Sequence, residues 1–380
     1  MTREATVLNM CVLMLLCLGG LMVFSVTSVN SQLDGVFTKH LLFLALGVVL
    51  FLVLSHMDYH VLGSRPVFRF VLWASLILLV LVLVPGIGAK VAGARRWIRV
   101  PGLGQFQPSE FARFALVVVL AVGLTRKRAT ITRLRSGLLP PFAIAGLFAA
   151  LVAAERDVGI PAMIMVTAYV MVYVAGGRKL YLGGMAGLGC GVLALAIAFF
   201  PHRLSRILAY LDPWAYRQGV GWQLIQSLSA FAQGGLWGRG AGAGEQKLGY
   251  LPAAHTDFIF ATIGEEFGLI GTVLVVLVFI AFTWAALRVA LNAVDLFGTL
   301  LAAGMCTMIS FQAAFIMAVT LGMLPTKGLP LPFVSYGGTA LVSFLMMAGV
   351  LVNIGAQARE HKGQKRLSVA EAPRRPAMAA

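Results

Sequence analysis

Acidic side chains are scarce in this sequence, fourteen among 380 residues, so the position of each is informative. Asp257 stands in Leu251-Pro-Ala-Ala-His-Thr-Asp257-Phe-Ile-Phe260, beside large apolar residues. Partial burial there would raise its pKa and suit it to taking a proton near neutral pH. The commoner use of such an aspartate is to cap a helix or brace a loop. Glu110 and Arg113 lie three residues apart, on one face of a helix, and can pair. That pair reads equally as a buried ion pair fixing helix packing and as a working pair inside the membrane. Glu155 and Asp157 follow an apolar run. Asp157 reads as a helix cap, whereas Glu155 is open to either use. Thr262-Ile-Gly-Glu265 matches a capping box, which assigns Glu265 and Glu266 to a helix start.

Two further segments could present backbone to a ligand. Gly234-Gly-Leu-Trp-Gly-Arg239-Gly-Ala-Gly-Ala-Gly244, followed by Lys247, could bring N–H groups and cations to a phosphate. It matches neither a Walker A loop nor a dinucleotide fingerprint, and a flexible loop is the plainer reading. Leu331-Pro-Phe-Val-Ser335-Tyr336-Gly337-Gly338 leads irregularly into an apolar run, where backbone groups can line a cavity or simply make a turn.

The elements that must hold these residues follow from composition. The chain is 59% hydrophobic and only 12% charged, against about 25% charged in a soluble domain. Lipid is the solvent that accepts so much apolar surface. Apolar runs long enough to span lie near 7–29, 40–57, 67–84, 109–125, 137–153, 158–175, 180–200, 266–287, 297–321 and 333–355. Helices are the state that pairs their backbone in lipid. The expected fold is therefore all-α, a polytopic membrane protein with about ten transmembrane helices. Residues 1–355 form one integral-membrane domain with a large outer loop at 201–264, and 356–380 form a basic, disordered cytoplasmic tail. With the N-terminus in the cytoplasm, inner segments hold 17 Lys and Arg and the short outer loops 7. The net charge of +16 thus follows membrane orientation and lipid contact, with no stripe for nucleic acid. Cys11, Cys17, Cys190 and Cys306 all fall in apolar runs with no metal or redox spacing. The first apolar run is too long for a cleavable signal.

Taken in order, these segments resemble a known family. They are Gly93-Ala-Arg95-Arg96-Trp97, Phe106-Gln-Pro-Ser-Glu110-Phe-Ala-Arg113, Leu211-Asp-Pro-Trp214, Gln246-Lys247-Leu-Gly-Tyr250 through Asp257 to Glu266, and Pro325-Thr-Lys327 through Gly338. Together they are similar to the SEDS peptidoglycan glycosyltransferases, and Gln-Lys-Leu and Leu-Pro-Thr-Lys-Gly look like the cell-division branch. The resemblance implies polymerisation of lipid II outside the cytoplasmic membrane, at the division septum, beside a class B penicillin-binding protein and other divisome membrane proteins. It carries the key carboxylate onto Asp257. It makes Arg95, Arg96, Arg217, Arg239, Lys247 and Lys327 candidates for the diphosphate, Lys247 first, with Glu110, Arg113, Glu155 and Ser335 as further candidates for the substrate site. A divalent cation, magnesium or manganese, could assist, although the sequence shows no dedicated cage. An elongation-branch polymerase, a lipid II transporter and an inactive scaffold are the alternative readings. This chain departs from the family at Glu155-Arg-Asp-Val-Gly-Ile160, where Glu-Pro-Asp-Leu-Gly-Thr is usual. Ile316 replaces Asn, and Arg113 replaces Lys with its charge kept.

Overall fold

The computed structural model describes every residue except 1, 30–32, 34, 92–93, 102–103, 158, 200, 220 and 371–380. Gly93, Val158 and the tail's Arg374 and Arg375 therefore lie outside the described residues. The chain runs through α1 (Arg3–Thr27), α2 (Val36–His56), the single turn α3 (His60–Gly63) and α4 (Arg65–Leu83). A small sheet follows, made of β1 (Gly88–Val91), β2 (Ala94–Val100) and β3 (Gly104–Phe106). Then come α5 (Pro108–Arg126), α6 (Leu139–Ala154), α7 (Gly159–Val174) and α8 (Lys179–Ala198). The long loop holds α9 (Pro201–Leu211) and α10 (Trp222–Gly234) before α11 (Ile259–Asn292), α12 (Leu296–Thr320) and α13 (Gly338–Ala370).

Each of the ten apolar runs falls on a helix. Eight helices among the described residues are long and apolar enough to cross a membrane, and α7 is a shorter apolar helix. The central helices are α5, α12 and α13, whose apolar side chains are almost all buried. Around them α1, α2, α4 and α11 turn leucine, isoleucine and valine outward. That is the arrangement of a bundle solvated by lipid. The expected boundaries shift at two places. The tenth helix begins at Gly338 rather than at 333, which leaves Ser335 and Tyr336 in a turn, and it continues past 355 to Ala370. The eighth begins at Ile259 rather than at 266.

α11 has 34 residues, about 51 Å at helical rise, against a hydrocarbon core of about 30 Å. Gly268 resolves the excess. It adopts φ 66° and ψ −163°, which breaks the helical path. A Cβ at Gly268 would lie 2.4 Å from the backbone N of Gly238. The glycine-rich loop fits into this break and satisfies the backbone groups that it frees. Leu269 N–H donates to Gly235 O at 2.9 Å, Arg239 N–H to Glu265 O at 3.0 Å and Gly240 N–H to Glu266 O at 3.0 Å. Gly234 and Gly238 are therefore needed for close backbone approach to the helix: a Cβ would lie 2.0 Å from Gly264 O at the first and 2.2 Å from Glu266 O at the second.

Between α4 and α5 the antiparallel sheet β1-β2-β3 carries a bulge. Ala89 lies opposite Trp97 and Lys90 opposite Arg95, so Arg96 has no cross-strand partner. A bulge re-aims the extra residue, and Arg96 leaves the sheet toward the start of α7.

Candidate active site

Asp257 is held from both sides. Within its own segment, Thr256 N–H and Phe258 N–H donate to Ala253 O at 3.0 and 3.3 Å. Phe258 and Leu251, 2% and 3% exposed, root that turn in a small apolar cluster. From the segment before α13, Ser335 Oγ donates to Thr256 O at 2.5 Å and accepts from Leu331 N–H at 2.8 Å. Tyr336 N–H donates to His255 O at 2.9 Å. Gly328 lies against the carboxyl itself, and a Cβ there would be 2.8 Å from Asp257 Oδ2.

The Asp257 side chain keeps some accessible surface although protein encloses it closely. Burial, then the charge of Asp157, push its carboxyl from 3.8 up to about 7. A hydrogen bond from Thr256 and the charges of Arg206 and Arg96 pull against that rise. Such a group can accept a proton near neutrality.

The turn between α6 and α7 supplies the facing wall. Asp157 Oδ1 accepts from Gly159 N–H at 2.7 Å and caps α7, as its sequence position suggests. Arg96 donates to the carbonyls of Glu155 at 3.2 Å and Arg156 at 2.6 Å, and stands 3.6 Å from Asp157 Oδ2. Glu155 is 1% exposed, and neither of its carboxylate oxygens has a hydrogen-bond partner among the described residues. Burial and Asp157 push its carboxyl up to about 8, while Ser109 and Arg96 draw it back only in part. Lys327 reaches the same turn: its Cε would lie 3.0 Å from a Cβ at Gly159. Oxygen donors of this kind suit magnesium or manganese. Yet no three His, Cys, Asp or Glu side chains among the described residues converge as a metal cage. Any such ion would need substrate oxygens to complete its shell.

The family model for FtsW, RodA and SpoVE, described as cell cycle proteins, matches residues 5–360. The chain belongs to this family. It is 40% identical to the probable peptidoglycan glycosyltransferase FtsW of Geobacter sp. (strain M18), over 94% of this chain and 97% of that protein. Identity to stage V sporulation protein E of Bacillus subtilis (strain 168) is 38%, over 91% and 95%. Among solved structures, a chain from "Structural coordination of polymerization and crosslinking by a peptidoglycan synthase complex" matches with TM-score 0.78 and 27% identity, over 92% of this chain and 97% of that one. Thermus thermophilus RodA matches with TM-score 0.67 and 25% identity, over 92% and 96%.

Within this FtsW/RodA/SpoVE fold, the sequence-derived candidates separate. Asp257, Glu155, Arg96 and Lys327 come together at one end of the bundle. Lys247 does not join them as a free cation. Its Nζ, buried with the side chain 2% exposed, donates at 2.7 Å to each of Glu266 Oε1, Ser25 Oγ and Gly242 O. All three of its protons are committed, so it ties the loop to α1 and α11 rather than meeting a diphosphate. Glu265 and Glu266 do not make a capping box, because α11 already begins at Ile259 and Thr262 Oγ1 has no hydrogen-bond partner among the described residues. Glu265 instead accepts from the backbone of Glu245 and Gln246.

Arg239 pairs with Glu245 at 2.8 Å over the glycine-rich loop. Arg95 stays in the sheet opposite Lys90, and Arg217 sits in the turn Ala215–Gly219. The Ser335 hydroxyl is used on backbone and positions the aspartate segment. Glu110 and Arg113 pair within the bundle core, 2% and 0% exposed, and Arg113 also meets Gln312. Gln312 in turn donates to Pro330 O at 2.7 Å, so this pair braces the loop that carries Gly328. Ile316, at the position where the family favours Asn, is simply core. The sequence reading passed over Arg206, whose charge reaches Asp257. The available signal was the alternation of apolar and basic residues over 201–211, which marks a two-faced helix.

Proposed function

We propose that this protein polymerises lipid II into glycan strands at the outer face of the cytoplasmic membrane, as an FtsW-type inverting glycosyltransferase of septal cell-wall synthesis. The observation that carries the reading is a family-matched carboxylate, Asp257, fixed by backbone hydrogen bonds and raised to about 7, with Arg96 and Arg206 acting on its charge. In the reaction, the acceptor's 4-hydroxyl oxygen attacks the anomeric carbon of the donor sugar. Asp257 takes the hydroxyl proton. The new glycosidic bond forms as the bond to the lipid diphosphate breaks, and the diphosphate leaves with the electron pair. Cations at the site offset the charge that develops on it. One displacement inverts the linkage and needs no covalent intermediate.

Relatives named as FtsW, and a neighbour from a peptidoglycan synthase complex, support a class B penicillin-binding protein as the partner. Septal location, contact with further divisome membrane proteins and cytoplasmic termini belong to the same proposal. The bias of lysine and arginine toward the assigned inner segments supports the orientation.

The test compares wild type with Asp257→Asn, each purified with a cognate penicillin-binding protein disabled in its own chemistry, using labelled lipid II. Polymer from wild type alone is the expected result. Equal polymer from both removes Asp257 from the chemistry and points to Glu155. No polymer from either, with lipid II still crossing vesicles, favours transport. Because Asp257 must be unprotonated to act, the wild-type rate should rise with pH to a plateau above about 7.

A further inference from the structure

The helix α9 has two distinct sides. At about 100° per residue, Leu204, Leu208 and Leu211 share one side and Arg206, Ala209 and Tyr210 the other. Exposure follows the same division: the leucines are 42%, 40% and 70% exposed, and Ala209 only 2%. The inward side is fixed, because the Tyr210 hydroxyl donates to Met323 O at 3.0 Å. Met323 opens the segment that continues to Lys327 and Gly328, the residues set against α7 and Asp257. The outward side continues a lipid-facing surface. On α8, against which α9 packs, Leu188, Val192, Leu195 and Phe199 are all exposed, and Trp214 lies exposed just beyond α9. A short helix with one apolar and one polar side, following directly on a spanning helix, has the form of one lying in the plane of the bilayer interface.

Arginines near Asp257 differ in what they can still bind. Arg96 is held by two carbonyls and by Asp157. Arg206 is half-buried and faces Asp257 electrostatically, but makes no hydrogen bond or ion pair among the described residues. A guanidinium fork of that kind matches the paired oxygens of a phosphate. The diphosphate of a membrane-anchored lipid lies at headgroup depth, where an interfacial helix holds its polar side.

We propose that Arg206 receives the diphosphate of the polyprenyl-linked substrate beside Asp257, presented by a helix whose leucine side lies in the outer lipid leaflet. The proposal rests on the glycosyltransferase reading and names one contact within it. Arg206 there holds the leaving group and takes up its developing charge.

The experiment measures binding of radiolabelled undecaprenyl diphosphate to the full chain in lipid nanodiscs. Wild type is compared with Arg206→Gln, Arg206→Met and Arg206→Lys, with Arg288→Gln at the far end of α11 as control. Loss of a charge-assisted contact should weaken binding about tenfold or more in the two neutral variants. The lysine variant should fall between, the control should match wild type, and KM for lipid II should rise in the neutral variants. A spin label at Leu208 should be accessible to oxygen and shielded from a water-soluble relaxer. Unchanged diphosphate affinity in either neutral variant, recovered folded and monodisperse, overturns the proposal, as does a water-exposed label at Leu208. A wild type that binds the diphosphate through Arg206 yet forms no polymer sinks the polymerase reading and leaves the Arg206 site standing.

Discussion

At the scale of single residues, Asp257 works against stability. Its folded pKa of about 7 lies above the ordinary 3.8, so the folded protein holds a proton that the unfolded chain has lost. The stability associated with that proton is present at low pH and declines as pH rises toward about 7. Asp257→Asn removes the titration. It should raise the thermal midpoint at pH 8 relative to wild type while abolishing polymerisation. A lowered midpoint in scanning fluorimetry would contradict the assigned burial. The close approach of Gly328 to Oδ2 gives a second prediction. Its φ is not left-handed, so Gly328→Ala leaves the backbone unstrained but pushes the carboxyl aside. Misplacement on the order of 1 Å can cost about 100-fold in rate. We expect turnover to fall by about tenfold or more with a normal melting curve; unchanged turnover would mean that the carboxyl is free to move.

At the scale of elements, buried charge ties the glycine-rich loop to α1 and α11, beside the apolar cluster that roots the Asp257 turn. Lys247 and Glu266 are 2% and 0% exposed and share Ser25 from α1. Removing one partner leaves an uncompensated buried charge, at a cost of about 3–5 kcal/mol. Lys247→Met should therefore lower the thermal midpoint and open the Gly234–Gly244 loop to protease. Lys247→Met with Glu266→Leu should recover much of the midpoint, because an apolar pair of similar volume can replace a buried ion pair. A double variant as unstable as the single one would show that the ion pair itself supplies the stability. The break at Gly268 belongs to the same unit: the loop completes the helix, so loop and helix order together.

At the scale of the whole molecule, the central trio α5, α12 and α13 carries the polar brace Glu110–Arg113–Gln312, and that brace ends on the carbonyl of Pro330. The site is thus built on the most enclosed part of the bundle, where little can shift. Orientation is also a whole-molecule property. In a cysteine-free background, Trp237→Cys should react with an impermeant maleimide on intact cells, and Thr130→Cys only after permeabilisation. The reverse pattern would invert the charge-based topology.

The sequence by itself determined the membrane class and the ten helical runs, because length and apolarity in lipid leave the backbone no other state. The capping use of Asp157, a local interaction, was legible too, whereas Asp257 was put forward only by the family resemblance of an ordered set of motifs. Tertiary structure decided which charges are free. Lys247 lies ten positions from Asp257 in sequence, yet its protons are taken by Glu266, Ser25 and Gly242, whereas the charge of Arg206, on a helix 51 positions before Asp257, acts on it. The capping box at Thr262 failed because helix α11 starts early, at Ile259, and the glycine-rich loop, whose plainer reading was a flexible connection, fills the break at Gly268. Pairings of this kind join residues distant along the chain, and no local spacing records them.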